Sequence, residues 1–242
     1  MRIITNPPPA KLYRYTSADE WTVNNLKKQL IYFSRPCDFN DIFDSRVYKN
    51  AKLNDKDRKE ICKKIGCQYT GNLNKTNQIS ERIKHTLENI SKKSGIFCMS
   101  EVANNLLMWG HYAKSYSGLC LEFETHLSPF EKAKKVTYSA EFPLVSQLKQ
   151  INEKASENSE NMKIFLTKAK CWDYEKEWRI FHHSFGEIEY NSASLTGIYF
   201  GPKIEIEKRE SIISLMKTTN PNLQFYIGRI SDKKYEILFD YV

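Results

Sequence analysis

Four strand-like segments crowd into the last third of the sequence, and this feature constrains the fold more than any other. Each is short, rich in aromatic and β-branched residues, and bounded by turn-forming residues, as strands are. The segments are residues 177–183, 195–200, 223–230 and 235–240. One helical pattern lies among them, at residues 207–217, whereas the first two thirds are mostly helical in pattern. This segregation predicts an α+β fold with a largely antiparallel sheet rather than a doubly wound parallel sheet.

The N-terminal part predicts a strand, a helix, a second strand and a loop. The first strand is Lys11–Thr16, and the second is residues 30–34. Between them, Ser17 and Glu20 have the spacing of a capping box, which predicts a helix that starts at Ser17. The loop, residues 35–44, carries three large apolar side chains, so we expect it to be held onto the body of the protein. These side chains are Phe39, Ile42 and Phe43.

Residues 47–94 predict a helical insertion within one domain that spans residues 1–242. Apolar residues recur there at helical spacing, and Ser94-Gly95 provides a helix stop. A chain of 242 residues is near the upper end of what one hydrophobic core organises, so one domain with an insertion is favoured over two. Further along we expect a strand at 96–100, a helix at 104–114, a strand at 119–124 and a helical segment at 144–168.

Charge and cysteine content bound the class of function. Lys and Arg exceed Asp and Glu by 37 − 29 = 8, which permits attraction to nucleic acid or to a phosphate-bearing small molecule. The cysteines are dispersed, without histidines at ligand spacing, so we expect reduced, mostly buried thiols and no metal site. They are Cys37, Cys62, Cys67, Cys98, Cys120 and Cys171. Without a membrane-length apolar run or a secretory core, we expect a cytoplasmic protein that makes no membrane contact.

The common nucleotide-binding and hydrolase motifs do not occur in the sequence. Neither GxGxxG nor GxxxxGK[ST] is present, which excludes the Rossmann and P-loop types of phosphate binding. The patterns GxSxG and HExxH are also missing, which excludes the usual hydrolase signatures. Any nucleotide chemistry must therefore use another arrangement of residues.

Four stretches, in order along the chain, resemble the bacterial family called domain of unknown function 2971. They are LYRYTS at residues 12–17, YFSRPCDFND at 32–41, CMSE at 98–101 with LMWGHYA at 107–113, and YEKEWR at 174–179. The resemblance extends over essentially the whole chain. It implies a fold more firmly than it implies a function.

The opening strand and helix are also similar to the start of ADP-ribosyltransferase-like domains. That resemblance implies a His or Arg on the first strand that holds the ribose of NAD, and a Glu on a late strand that performs the chemistry. By position, Arg14 matches the first residue and Glu177 the second, and Glu175-Lys-Glu177 matches the Glu-x-Glu form of the late motif. The sequence departs from the pattern in having Arg14 where His is common. It also lacks a clear Ser-Thr-Ser triplet, for which Ser100 is the one candidate.

Two carboxylates near the ribose fit the chemistry of NAD cleavage. Breaking the nicotinamide–ribose bond builds positive charge on the ribose, which an ionised carboxylate stabilises. Glu175 and Glu177 are two apart on a predicted strand, so we expect both to point into one cleft. The alternative is an exposed ion-pair row that continues to Arg179.

Further candidates for contact with NAD lie on the first strand and on the helix at 104–114. Arg14 alternates with tyrosines on the opposite strand face, which suggests a guanidinium available for ribose or phosphate; a buried pairing of Arg14 with Glu177 is the alternative. Trp109 and Tyr112, three apart, would stack on a nicotinamide or adenine ring, although helix aromatics at this spacing are also typical of a core. The full set of binding candidates is Arg14, Tyr15, Thr16, Ser100, Trp109 and Tyr112.

Several other polar residues are interpreted as structural. Asn40, Asp41 and Asp44 are turn formers, with lining of the cleft mouth as the alternative. His111 and His182-His183 are expected at the surface.

From these residues we expect an NAD-dependent, ADP-ribosyltransferase-like enzyme that modifies a macromolecule, a nucleic acid or a protein, as a toxin or a phage-defence effector does. Two alternatives stay open. One is a nucleic-acid-binding or RNA-processing module without NAD chemistry. The other is a non-catalytic protein-interaction domain whose motifs mark only its fold.

Overall fold

A computed structural model describes residues 7–45, 59, 85, 88–143 and 162–242. Within these ranges the centre is an eight-stranded sheet in the order β12-β11-β10-β4-β1-β3-β8-β5, beside two small two-stranded sheets, β2-β9 and β6-β7. The strands are β1 (Lys11–Thr16), β2 (Leu30–Phe33), β3 (Gly95–Ser100), β4 (Leu119–Glu124), β5 (Lys134–Lys135), β6 (Thr137–Ser139), β7 (Thr167–Ala169), β8 (Glu177–His182), β9 (Gly186–Glu189), β10 (Leu195–Phe200), β11 (Gln224–Ile230) and β12 (Ile237–Tyr241).

Four α-helices that lie wholly within the described ranges accompany these strands. They are α1 (Glu20–Lys28), α2 (Leu106–Tyr112), α3 (Met162–Phe165) and α4 (Ile206–Thr219). Short 3-10 helices lie at Pro36–Asp38, Phe130–Lys132, Lys170–Glu175 and Ser192–Ser194. Residues 88–93 are also helical, and the Ser94 hydroxyl and amide both donate to the Ile90 carbonyl at the end of this helix.

The predicted α+β character and the dominance of antiparallel pairing are confirmed in the described ranges. In the large sheet, β10 and β11 form the one parallel pair, and α4 connects them. A parallel pair needs such a crossover, whereas the antiparallel neighbours need only turns or longer loops. The four C-terminal segments that were predicted as strands form β8, β10, β11 and β12.

Other predictions concern parts of the chain that the description covers incompletely or not at all. The helical insertion at 47–94 lies outside the described residues except for 59, 85 and 88–94. The helical segment at 144–168 lies outside them up to residue 161, and its described end is wrong: the chain leaves α3 at Phe165 and forms β7. The parallel pairing of β7 with β6 explains the difference, because this tertiary contact overrides a local helical pattern.

Helices cover both faces of the large sheet. Leu26 of α1 and Ile212 and Met216 of α4 belong to the larger core cluster on one face, together with the ring of Phe123. Trp109 of α2 is the centre of a smaller cluster on the other face, which includes Tyr15 and Cys120. The sheet is therefore buried on one face and only partly covered on the other.

Helix α1 begins three residues later than predicted. It starts at Glu20, and Asp19 is its N-cap, whose carboxylate accepts a hydrogen bond from the Thr22 amide at 2.8 Å. Ser17 instead donates its hydroxyl to the Asp19 carboxylate at 2.5 Å. A carboxylate is favoured at this position because it accepts from the free amides and carries negative charge toward the positive end of the helix.

A buried ion pair holds the loop at 35–44 onto the protein, more than its apolar side chains do. Phe39 is half-buried, but the exposed fractions of Ile42 and Phe43 are 73% and 51%. Asp44 at the end of the loop is buried and forms a two-fold ion pair with Arg179. The expectation that all three apolar side chains anchor the loop is therefore wrong for two of them.

The cysteines in the described ranges differ in burial. Cys120 is buried and Cys98 half-buried, but Cys37 and Cys171 are exposed free thiols, so the expectation of mostly buried thiols is only partly met. Cys62 and Cys67 lie outside the described residues.

Among the helices of the described ranges, none combines the length and the hydrophobicity of a membrane span.

Candidate functional site

A cleft opens where β1 meets β3. The ladder between these strands has one registered pair, Tyr13 with Ser100, and the cleft lies along this seam. Its volume is about 380 Å³, and its walls come from β1, β3, α2, the loop at 35–44 and the start of β8. Such a volume is within the range of about 300–1,000 Å³ that is usual for small-molecule sites.

Five charged side chains lie together at the base of this cleft, and we refer to them as the buried charge cluster. They are Asp44, Lys168, Glu175, Glu177 and Arg179. All five are buried, with exposed fractions of 8% or less. Three carboxylates face two cations, so the cluster has one excess negative charge if every member is ionised.

Arg179 is the structural centre of the cluster. Its side chain is wholly buried, and its two terminal nitrogens donate to the Asp44 carboxylate at 2.9 and 2.6 Å. It also donates to both oxygens of Glu177, at 2.9 and 3.0 Å, and to the Phe165 carbonyl at 2.7 Å. These bonds use all five N–H donors of the guanidinium, which a buried arginine requires.

Lys168 connects the two glutamates. Its ammonium lies 2.5 Å from Glu175 Oε2, 3.3 Å from Glu177 Oε2 and 3.8 Å from Asp44 Oδ2. Burial alone would lower the pKa of Lys168, but the charges of Glu177 and Glu175 outweigh burial, and the pKa is raised. The lysine is therefore a fixed positive charge between the two carboxylates.

The two glutamates have opposite pKa shifts. Burial raises the pKa of Glu175, and the charge of Glu177 adds to that rise, while Lys168 opposes it. Burial would also raise the pKa of Glu177, but the charges of Arg179 and Lys168 dominate and lower it to about 2. Glu177 is thus ionised at neutral pH, and Glu175 is the carboxylate of this pair that takes up a proton more easily.

A tight turn, and not a strand, brings these carboxylates together. Glu175 is the last residue of the 3-10 helix Lys170–Glu175, and Lys176 has a left-handed backbone with a φ of 47°. Glu177 then begins β8. The prediction that both glutamates share one strand face is therefore wrong in its geometry, although both side chains do reach Lys168.

Polar neighbours fix this turn. The Ser100 hydroxyl donates to the Glu175 carbonyl at 2.6 Å, and the Glu177 amide donates to the Tyr138 hydroxyl at 2.8 Å. The Tyr112 hydroxyl donates to Glu175 Oε1 at 2.7 Å. The backbone on both sides of Lys176 is thereby held, which keeps the two carboxylates in place.

Most of the candidate site residues predicted from the sequence line the cleft. The lining includes Arg14, Tyr15, Ser100, Tyr112, Glu175 and Glu177. Two candidates are elsewhere. Trp109 is wholly buried, where its indole donates to the Ala103 carbonyl at 2.8 Å, so the core role noted for this helix spacing is the one observed. The Thr16 hydroxyl lies 3.4 Å from the Thr22 hydroxyl of α1 and does not line the cleft.

Arg14 lines the cleft but does not pair with Glu177. It donates to the Cys98 carbonyl at 2.9 Å, and its guanidinium lies 5.2 Å from the centre of the Phe97 ring. The charged partners of Glu177 in the described ranges are Arg179 and Lys168. The alternative of a buried Arg14–Glu177 pair is therefore wrong, and Arg14 bridges β1 to β3 at the short ladder.

Sequence reasoning missed or misjudged three members of the cluster. Asp44 lies in a turn and lines the cleft, as its two interpretations had it, but its buried ion pair with Arg179 was not expected. Arg179 does pair with Glu177, as the alternative had it, but this pair is buried and not exposed. Lys168 had no role. The one usable signal was a short stretch of charged residues at alternate positions inside an otherwise apolar strand, Glu177 and Arg179 of β8, which burial would force to find partners.

Among the described residues, no group of three or more His, Cys, Asp or Glu side chains has the arrangement of a metal site. His111 is exposed, as expected, and also lies at the cleft rim. His183 is exposed, as expected, whereas His182 is half-buried; their rings lie 4.1 Å apart.

Comparisons with known proteins bear on this region. No curated protein and no solved structure matches the chain. A family model described as "Protein of unknown function (DUF2971)" matches residues 108–180, a stretch that includes Tyr112, Lys168, Glu175, Glu177 and Arg179. This match agrees with the resemblance seen in the sequence and confirms it over residues 108–180, which carry four of the five members of the buried charge cluster.

Proposed function

We propose that this protein is an NAD-dependent, ADP-ribosyltransferase-like enzyme, which cleaves the bond between nicotinamide and ribose and transfers ADP-ribose to a macromolecular acceptor. The observation that carries the proposal is the pair Glu175 and Glu177 at the base of one cleft, with opposite pKa shifts. Two carboxylates that differ in this way can perform two different tasks in one reaction.

Glu177 supplies a fixed negative charge. When the bond from ribose to nicotinamide breaks, the bond electrons leave with nicotinamide and the ribose acquires positive charge. A carboxylate held ionised by Arg179 and Lys168 is oriented before the reaction, so it stabilises that charge without reorganising. This role matches the late Glu of the ADP-ribosyltransferase-like pattern.

Glu175 supplies a base for the acceptor. As a new bond forms between ribose and an acceptor oxygen or nitrogen, that atom loses a proton, which an ionised Glu175 takes up. A raised pKa makes a carboxylate a stronger base, and bases matched to the working pH are the most effective. The Tyr112 hydroxyl orients the carboxylate through its 2.7 Å hydrogen bond.

The walls of the cleft suit an aromatic, polar substrate. Tyrosines at positions 13, 15 and 32, with Phe39, contribute ring faces and edges to the lining. Arg14 offers its guanidinium to the ribose or a phosphate, since among the described residues its side chain has one hydrogen-bond acceptor, the Cys98 carbonyl. NAD presents both chemistries, aromatic rings and a pyrophosphate.

The test is the release of nicotinamide when the purified protein is incubated with NAD. We expect release by the wild type and a loss of about 100-fold or more in Glu177→Gln, as for other preorganised charge stabilisers. Glu101→Gln is the matched control, because Glu101 pairs with Lys135 and the Trp178 indole outside the cleft.

A folding defect must be separated from a catalytic one, because Glu177 is buried against Arg179. Thermal unfolding of each variant provides that check. Tyr112→Phe, which removes one hydroxyl from a half-buried ring, serves as a second cleft variant that keeps the fold; we expect it to slow transfer about 10-fold. No release by the wild type, or equal release by a folded Glu177→Gln, contradicts the proposal.

A further inference from the structure

A second cavity lies on the other side of α2 from the cleft. Its volume is about 560 Å³, and it is bounded by Leu106 at the start of α2, by Tyr116, by Lys203 and by the turn that joins β11 to β12, residues 231–236. We call it the hairpin cavity. It shares no lining residue with the cleft, so it is a separate site on the same helix.

The floor of the hairpin cavity is apolar, and its rim carries exposed hydrophobic and aromatic groups. Leu106, Ile230 and Ile237 line it, together with the ring of Tyr116. The exposed fraction of Ile230 is 65%, and that of Tyr235 is 99%. Exposed apolar groups around a concave surface are typical of a binding site.

Three lysines lie at the same rim. Lys203, Lys233 and Lys234 are exposed, and none of them has an ion-pair partner within the described ranges. The ammonium of Lys203 lies 5.5 Å from the centre of the Tyr116 ring. Two carboxylates share the rim, Asp232 and Glu236, and Glu236 accepts a hydrogen bond from the Ser231 hydroxyl at 3.3 Å. Positive charge is therefore in excess by 3 − 2 = 1.

The backbone presents Tyr116 to the cavity in an unusual conformation. Lys114, Ser115 and Tyr116 are consecutive non-glycine residues with left-handed φ angles of 46°, 52° and 72°. The Tyr116 amide donates to the Trp109 carbonyl at 3.1 Å, and the Tyr116 carbonyl accepts from the Lys203 amide at 3.0 Å. Backbone in this region is costly for residues with a side chain and concentrates at ligand-binding sites.

We infer that the hairpin cavity binds single-stranded nucleic acid, with unpaired bases stacked on Tyr116 and Tyr235 and phosphates beside Lys203, Lys233 and Lys234. Ring faces recognise any base, and lysines recognise the backbone, so this combination fits a strand bound without strong sequence preference. The bases of a duplex are stacked inside the helix and cannot enter such a cavity. The inference does not depend on NAD chemistry in the cleft and goes beyond it.

Fluorescence anisotropy with a labelled 12-nucleotide single strand, in DNA and RNA form, tests this inference without NAD. The key variant is the triple substitution Lys203→Gln, Lys233→Gln and Lys234→Gln. Lys27→Gln, Lys28→Gln and Lys132→Gln together form the matched control, because these lysines are also exposed and the change in net charge is identical. We expect the key variant to reduce the slope of log affinity against log salt by about 2, and the control to reduce it by much less.

Stacking is tested separately with Tyr235→Ala, whose ring is fully exposed and whose loss does not disturb the fold. We expect affinity for the single strand to fall by about five-fold or more, while Tyr241→Ala, a second exposed tyrosine outside the cavity, leaves affinity unchanged. The inference is overturned if both lysine triples weaken binding equally, if Tyr235→Ala binds like the wild type, or if a duplex of the same sequence binds as tightly as the single strand.

Discussion

The base of the cleft and the rim of the hairpin cavity use charged side chains in opposite ways. In the cleft, the side chain of Arg179 is wholly buried and every donor has an acceptor. At the hairpin cavity, three lysines are exposed and have no ion-pair partner among the described residues: Lys203, and Lys233 and Lys234 in the turn. Buried charges are stable only with full pairing, whereas exposed charges stay available to a ligand. The base of the cleft therefore holds its charged groups in one geometry, whereas the rim of the hairpin cavity leaves its positive charges available to a ligand.

The largest effect expected from this contrast is on stability. Asp44→Asn leaves the buried Arg179 without half of its charge pairing, so we expect the free energy of unfolding to fall by about 3–5 kcal/mol. Asp240→Asn removes the partner of Arg229 in an exposed pair, with side-chain exposures of 55% and 58%, and should cost about 0–1 kcal/mol. Urea denaturation of both variants measures the difference. Equal losses would contradict the assignment of a structural role to the buried pair.

Acid sensitivity sharpens the same contrast. The pKa of Glu177 is lowered to about 2 in the folded protein, against an ordinary value of 4.5. Its contribution to stability is therefore complete above about pH 4.5 and is lost as the pH falls toward 2. We expect the stability difference between the wild type and Glu177→Gln to shrink over this range, as measured by urea denaturation at stepped pH. A difference that stays constant from pH 5 to pH 2 would show that Glu177 has no depressed pKa.

The pH dependence of the transfer reaction tests the role of Glu175. Because a base must be ionised to act, we expect the rate to rise with pH through the raised pKa of Glu175. The Tyr112 hydroxyl bonds the ionised form and so lowers that pKa. Tyr112→Phe should therefore move the midpoint of the pH profile upward. A profile that keeps its midpoint in the variant would remove Glu175 from the base role.

The smallest effect on stability is expected at the hairpin cavity. Tyr235→Ala changes a fully exposed side chain, so the free energy of unfolding should change by no more than about 0.5 kcal/mol. The same variant is expected to lose affinity for a single strand. Thermal unfolding beside the anisotropy measurement separates the two. A large stability loss would mean that the turn is a structural element and not a binding rim.

The sequence was sufficient for the longer elements of the fold. β1, β3, β4, β8, β10, β11 and β12, each of five residues or more, were all predicted from their composition. The short strands β5, β6, β7 and β9, of two to four residues, were missed, whereas β2, also of four residues, was predicted from its composition; strands this short show little of a period of two. Their positions depend on tertiary pairing, as β7 demonstrates by replacing a predicted helix end.

The candidate site was predictable where a motif stays local and unpredictable where it joins distant residues. Glu175 and Glu177 were identified through the Glu-x-Glu pattern, and both line the cleft. Asp44 and Arg179 are 135 residues apart, and no local pattern indicates that they pair. Lys168 lies near the glutamates in sequence, but its position between them depends on the pairing of β6 with β7.

The proposed chemistry depends on Glu175 and Glu177 sharing one cleft with opposite pKa shifts. NMR titration of the protein labelled with ¹³C at the glutamate side-chain carboxyl groups measures this directly, with Glu175→Gln and Glu177→Gln assigning the two signals. We predict that the Glu177 signal titrates well below the ordinary glutamate pKa, near 2, and that the Glu175 signal titrates above it. Two signals that titrate together near the ordinary value would contradict it.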